Sequence, residues 1–312
     1  MIMALEQAEN SIQATSDAWE AIEGGWDLQV HVAPDVIARR IDDLDLAGEF
    51  ATHKLKGFVL KSHYVPTYER AKAVTKASAA LGVTAYGAVT LNHSVGGLNP
   101  VALEIAGRSG NKIVWMPTVD AQNETAGRVG GTNVKLPFWA EIQRSLSAEG
   151  ISPPPLTVLD ENGNVNAAAR GCLERIAKHD MILATGHLGR KEIFGLVKTA
   201  KEMGLKRVLV THAEFPSQNL TPQEQVELAQ MGAIIEHCFT TMYTRKATWD
   251  VYFEAVRKVG PERVILSTDL GQTINPGVAE GFAMFAQKTL EAGFTKAEVR
   301  RMAVTNPECL IS

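Results

Sequence analysis

Six histidines and one aspartate stand where short apolar runs of this chain end. His31 closes Asp27-Leu28-Gln29-Val30, and Lys61 and His63 follow Phe58-Val59-Leu60. His93 ends the run that starts at Tyr86, and His187 the one that starts at Met181. His212 follows Val208-Leu209-Val210, Glu236 and His237 follow Ile234-Ile235, and Asp269 follows Val264-Ile265-Leu266. Imidazole nitrogen and carboxylate oxygen are the usual protein donors to Zn²⁺ and its first-row neighbours. A catalytic site uses about three of them and keeps one position open for a water whose pKa the metal lowers toward neutrality. His31, His187, His212 and Asp269 are therefore the candidate ligands, with Lys61 close by. One histidine at a strand end is ordinarily a hydrogen-bonded structural group; four such ends on one rim argue for a metal. His63, His93 and His237 fit either a substrate contact or a structural role, and His53 and His179 sit beside other charges and read as exposed.

For these residues to meet, the elements that carry them must share an edge. Each apolar run is about the length of a strand buried on both faces, and helical stretches alternate with them. Pro34, Pro66, Pro222 and Pro276 open such stretches, and Gly82 stops one. Eight strand–helix units predict parallel strands closed into a (β/α)8 TIM barrel rather than an open sheet, with every strand C-terminus on one rim. Residues 1–25 read as an N-terminal helical arm. Residues 120–167 break the rhythm between strands 4 and 5, with Gly130-Gly131, Pro153-Pro154-Pro155 and a turn at Asp160 to Asn164. That insertion reads as a helix near 139–146 and a small hairpin, serving as a lid or an oligomer contact. The whole chain reads as one distorted barrel domain, 1–312.

Bulk composition narrows the function. At 312 residues and 45% hydrophobic, the chain can bury a barrel core, which takes about 250 residues. A net charge of −4 with no basic block argues against a nucleic-acid partner. No run is long and apolar enough for a membrane span, and the first ten residues lack the pattern of a secretion signal. Cys172, Cys238 and Cys309 are spaced without a CxxC and read as reduced, in a cytoplasmic protein. Gly96-Gly97 and Gly130-Gly131 lack the spacing of a phosphate loop. The expected partner is a small-molecule substrate, with a homo-oligomer in keeping with the size.

The pattern resembles the amidohydrolase superfamily of metal-dependent barrels over nearly the whole chain. That family carries HxH after strand one, often a carboxylated lysine, a histidine after strands five and six, and an aspartate after strand eight. His31, His187, His212 and Asp269 match position by position. The segments 61–67, 91–100 and 115–120 look like an uncharacterised amidohydrolase-like branch. Two departures stand out. Gln29 occupies the first half of HxH and is a neutral, weaker ligand. Lys61 lies after strand two, whereas the family's bridging lysine usually follows strand four, here Met116-Pro117-Thr118. Lys61 is then a carboxylated bridge or, more in keeping with Gln29, a plain cation.

The resemblance implies a divalent metal, with Zn²⁺ first and Mn²⁺, Fe²⁺ or Co²⁺ fitting the same donors. It also implies hydrolysis of a C–N or C–O bond, in an amide, cyclic amide or lactone. Asp269 would serve as ligand and proton acceptor, His237 or His93 would steady the oxyanion, and Arg190 and Arg245 would hold a substrate carboxylate unless they are surface residues. Non-oxidative decarboxylation of an aromatic or unsaturated acid is the alternative chemistry. A barrel weakened by Gln29 into a binding protein is the third.

Overall fold

The computed structural model describes residues 12–124 and 138–312. Its strands are β1 (Trp26–Val30), β2 (Gly57–Leu60), β3 (Thr84–Tyr86), β4 (Ala88–Thr90), β5 (Ile113–Trp115), β6 (Ile182–Ala184), β7 (Val208–Val210), β8 (Ile234–Cys238) and β9 (Val264–Ser267). All ladder pairs are parallel, in the orders β1-β2-β3 and β4-β5-β6-β7-β8-β9. β3 and β4 are one stave interrupted at Gly87, so the two sheets are continuous through it. A β-carbon on Gly87 would lie 2.1 Å from the Tyr68 Cα, so only glycine lets the preceding helix pack this closely. The other edges meet as well: the Asp269 N–H donates to the Gln29 carbonyl (2.9 Å), and the His31 N–H to the Leu270 carbonyl (2.8 Å). A parallel bridge joins Val30 to Leu270. Among the described residues eight staves thus close a barrel, as the alternation of the sequence predicts.

The strands alternate their side chains between two apolar layers. Leu28, Val59, Ile113, Trp115, Ile182, Leu209 and Ile265 fill the barrel interior. Val30, Leu60, Val114, Leu183, Val210, Ile235 and Leu266 face the surrounding helices. Trp115 is wholly buried in the inner layer, where truncation to alanine would cost about 3–5 kcal/mol. One irregularity matters for the site. β1 advances three residues, Asp27 to Val30, while β2 advances two, Phe58 to Leu60. That extra residue is a β-bulge, and it inverts the inside–outside alternation of β1 beyond it. Below the bulge Trp26 and Leu28 point inward; above it Val30 turns out, and Gln29 and His31 turn in.

The N-terminal helix α1 (Ser16–Ile22) is capped by Thr15 and buries Ala18, Ala21 and Ile22 against the last helices. After β5 comes the excursion that breaks the sequence rhythm. It holds α2 (Phe138–Ala148) and a turn at Asp160 to Asn164, whose flanks Leu159 and Val165 pair antiparallel. Asp160 Oδ1 accepts from the N–H groups of Asn162 and Asn164, both at 2.9 Å, the local bonding that favours aspartate in turns. The remainder of the predicted lid, residues 125–137, lies outside the described residues, as do residues 1–11 of the arm. Among the described residues no helix is long and apolar enough to cross a membrane.

Candidate functional site

Asp269 sits two residues beyond β9 with φ +54°, a conformation that side chains other than glycine rarely adopt. Gly271 follows with φ +131°, its Cα side pressed to the His31 carbonyl so closely that a β-carbon there would lie 1.4 Å from the oxygen. This pinched seam sets the Asp269 carboxylate against β1. Its Oδ1 accepts from Gln29 Nε2 at 2.7 Å and lies 3.0 Å from His31 Nε2; its Oδ2 accepts from the Thr240 hydroxyl at 3.2 Å. Burial works to raise the pKa of Asp269, yet the His31 hydrogen bond and the Lys61 charge hold its carboxyl well below the usual range. Burial, then the Arg39 guanidinium, push His31 down to about 4, so at pH 7 its ring is neutral.

The other rim histidines join this pair. The His31 and His63 rings stack at 5.0 Å, His63 meets His187 at 5.8 Å, and His187 meets His212 at 4.9 Å. Phe215 lies against both His187 (6.0 Å) and His212 (4.9 Å), forming an apolar side to the pair. His187 Nδ1 is 2.9 Å from Glu124 Oε1, an acceptor beside the ring. His212 is held at φ +28°, and its buried Nδ1 has no hydrogen-bond partner among the described residues. Two site residues at strained backbone positions fit the tendency of such strain to gather at functional sites. His63 Nδ1 is 2.8 Å from the Thr118 hydroxyl, which also accepts from Asn92 Nδ2 at 2.7 Å. The natural arrangement has Thr118 donating to Nδ1, leaving His63 with a free Nε2–H. Burial lowers both His63 and His212 well below the ordinary histidine range, so both rings are neutral.

Beneath the rim lies a charged inner layer. Lys61 Nζ is buried with no hydrogen-bond partner among the described residues and stands 4.9 Å from the centre of the Trp115 ring. Burial pulls its pKa down against the charges of Asp269 and Glu236. Glu236 is wholly buried and raised to about 8 by that burial, so it is mostly protonated at pH 7. Asp27, on the β1–β9 seam, accepts from the Thr268 hydroxyl at 2.6 Å and is raised to about 7, again by burial.

The structure therefore brings together Gln29, His31, Lys61, His63, His187, His212 and Asp269. Four sequence candidates lie elsewhere. His237 is the neighbour of Glu236 and so points to the opposite face of β8: its Nδ1 abuts Glu214, its ring meets Tyr252 at 5.0 Å, and it is fully buried behind the barrel wall. It cannot reach an oxyanion on the rim. His93 binds the Pro154 carbonyl (2.7 Å) and lines a separate recess of about 440 Å³ with Tyr64 and Pro153 to Pro155. Arg190 pairs with Glu224 at 3.0 Å and the Asn219 carbonyl on the outside of the barrel. Arg245 is exposed, with φ +59°. Conversely, Arg39, Asp35, Glu124, Phe215 and Glu236 border the site without having been singled out as site residues. For Glu236 the signal was available, since the alternation along β8 puts it, not His237, on the inner face.

The donors have the chemistry of a metal site: imidazoles, an ionised carboxylate, and His212 Nδ1 and Gln29 Oε1, which have no hydrogen-bond partner among the described residues. They fit a divalent cation by type. In the present arrangement, among the described residues, no three histidine, cysteine or acidic side chains are gathered as a coordination group. His31 and Asp269 are hydrogen-bonded to each other instead, and cation binding on Asp269 requires side chains to adjust.

Residues 24–236 match the model of a family of unknown function, DUF6282. No curated protein matches. Among solved structures, the chain is similar to an amidohydrolase from Pseudomonas aeruginosa (TM-score 0.59, 11% identity, 95% of this chain and 98% of that one). It is similar to the same degree to the probable dipeptidase PvdM of that organism (TM-score 0.59, 12% identity, 98% of each chain). A metallo peptidase from Rhodobacter sphaeroides, crystallised with a phosphinate mimic of the dipeptide L-Ala-D-Ala, matches at TM-score 0.50 and 16% identity over 86% of this chain and 73% of that one. At these identities the likeness is one of fold alone, a parallel barrel of the kind the alternation of the sequence predicts.

Proposed function

The chain belongs to the family of unknown function DUF6282, and we propose that it is a metal-dependent hydrolase of a C–N or C–O bond in a small molecule. An amide, a cyclic amide or a lactone is the substrate class. The observation that carries this reading is the pairing of two unlike halves across the rim. On one side stand the imidazoles of His187, with Glu124 beside its Nδ1, and His212. On the other stands a carboxylate, Asp269, held ionised and 17% exposed. The barrel likeness to metal-dependent hydrolases supports it.

His187, His212 and Asp269 would hold the cation, for which Zn²⁺ is our choice from the donor types. Bound there, a divalent cation supplies Lewis-acid activation of water and of the scissile carbonyl. Asp269 then has a distinct task at each oxygen. Oδ1 carries two donors, so the position left beside the Thr240 hydroxyl on Oδ2 would face the cation and, in turn, take a proton from the attacking water. The same oxygen returns that proton to the leaving nitrogen or oxygen. His63, with its free Nε2–H, is the donor placed to steady the developing oxyanion, the role that His237 and His93 are too far removed to play. Arg190 is held by Glu224 and the Asn219 carbonyl on the outside of the barrel and is not placed to clamp a substrate carboxylate. Phe215 limits water on the His187–His212 side.

The test is Zn²⁺ binding by calorimetry to chelator-treated protein, beside His187→Ala and His212→Ala, with a panel of amides, cyclic amides and lactones run on the reconstituted parent. Binding by the parent that both variants lose, together with turnover of one panel class, is the expected result. A parent that takes up no divalent cation overturns the reading.

A further inference from the structure

His31 occupies a family ligand position, yet its hydrogen-bond partners are the wrong kind for a ligand. Arg39 Nη2 lies 3.4 Å from its Nδ1. A guanidinium only donates, so Nδ1 must present its lone pair, and the one proton of a neutral imidazole must then reside on Nε2. That proton points at Asp269 Oδ1, 3.0 Å away. To ligate through Nε2 the ring would have to move its proton to Nδ1, where it would face an arginine N–H, donor against donor. Metal-ligating imidazoles ordinarily give their second N–H to a carboxylate or a carbonyl. His187 follows that rule with Glu124; His31 inverts it.

Arg39 has little freedom to move aside. Its Nε and Nη2 bind Asp35 Oδ2 at 2.8 and 2.6 Å, and the two side chains are only 4% and 1% exposed. Asp35 is itself fixed by the Val36 N–H at 2.8 Å and the Ser62 hydroxyl at 3.4 Å. The second β1 residue repeats the pattern. The amide nitrogen of Gln29 donates to the same Oδ1 at 2.7 Å. Both inward-facing side chains above the bulge therefore present protons to one carboxylate oxygen.

We propose that Arg39 is a positioning residue that locks His31 as its Nε2–H tautomer, so that Gln29 and His31 clamp Asp269 and do not ligate the cation. The inference rests on the hydrolase reading for the identity of the remaining ligands, His187, His212 and Asp269, and it limits this barrel to one cation per chain. The clamp holds Oδ1 and turns Oδ2 toward the substrate.

The experiment is ¹⁵N NMR of the histidine side chains in uniformly labelled full-length protein, first metal-free and then titrated with Zn²⁺ alone, with His31→Gln used to assign the His31 signals. In the metal-free spectrum His31 shows a protonated Nε2 and a bare Nδ1. On titration to one Zn²⁺ per chain the His187 and His212 signals move, while His31 keeps its Nε2 proton. Arg39→Leu abolishes the tautomer preference and Arg39→Lys, which restores a donor, recovers it. His31→Gln weakens Zn²⁺ by on the order of tenfold, as a residue behind the ligands does, and keeps the same stoichiometry. A His31 Nε2 that is bare in the metal-free spectrum, or that loses its proton to Zn²⁺, overturns the proposal; so does a second Zn²⁺ that disappears in His31→Gln. Should Arg39→Leu not fold, the parent spectra decide alone. If Zn²⁺ does not bind the parent at all, the hydrolase reading fails, and the metal-free tautomer still tests the clamp.

Discussion

Replacing Glu236 by glutamine should change how this protein's stability depends on pH. The carboxyl is wholly enclosed in the barrel and raised from 4.5 to about 8, first by burial, with the Ser267 hydroxyl and the Lys61 charge opposing more weakly. In the unfolded chain it titrates at its ordinary value. Between the two values the folded state binds one more proton than the unfolded state, so stability falls as pH rises. A shift of about 3.5 units corresponds to a total of about 5 kcal/mol, of which about 2 kcal/mol is lost between about pH 6 and about pH 8. Glutamine matches the protonated acid in shape and does not titrate. The variant should therefore equal the parent within about 1 kcal/mol near pH 6 and exceed it by about 2 kcal/mol more near pH 8. Asp27, raised to about 7, is present in both proteins and cancels in the difference. Urea unfolding of both proteins in chelator at the two pH values measures this directly. A stability difference that is the same at both would refute the reasoning, because it would mean that Glu236 keeps the same proton occupancy folded and unfolded.

Two further substitutions probe the frame around the site. Gly271→Ala would place a β-carbon 1.4 Å from the His31 carbonyl and force the seam that carries both Asp269 and His31 to open; we expect a fall in melting temperature of more than about 10 °C, or no soluble protein, as read by thermal denaturation. His237→Ala strands the buried Glu214 carboxylate behind the barrel wall. It should cost about 3–5 kcal/mol by urea unfolding while leaving Zn²⁺ stoichiometry unchanged, and a change in stoichiometry would put His237 back in the site.

Much of this protein is readable from its residue order. The eight apolar runs, each followed by a helical stretch, specify parallel strands, and parallel closure alone is enough to bring residues 31, 187, 212 and 269 to one rim. The excursion after Trp115 is equally plain, since three consecutive prolines and an Asp-to-Asn turn leave no room for a regular strand–helix unit. Residue type sufficed for the nature of the donors as well: imidazoles and one carboxylate.

What each of those side chains does was settled by contacts between distant segments. A β-bulge in β1 inverts an alternation that the sequence carries unbroken from Trp26 to His31, because the extra residue exists only relative to the partner strand. The choice between Glu236 and His237 turns on which face of β8 meets the barrel interior. Glu124 and Arg39 come from segments outside these histidines' own strands, yet they set unlike surroundings for His187 and His31, an acceptor beside one ring and a donor beside the other. His31 and Asp269 lie 238 residues apart and meet at 3.0 Å. Periodicity and propensity are properties of neighbours along the chain, and they determine which elements form and in what order. Protonation, orientation and partner choice depend on what lies across a few ångströms of space, and only the closed barrel determines that.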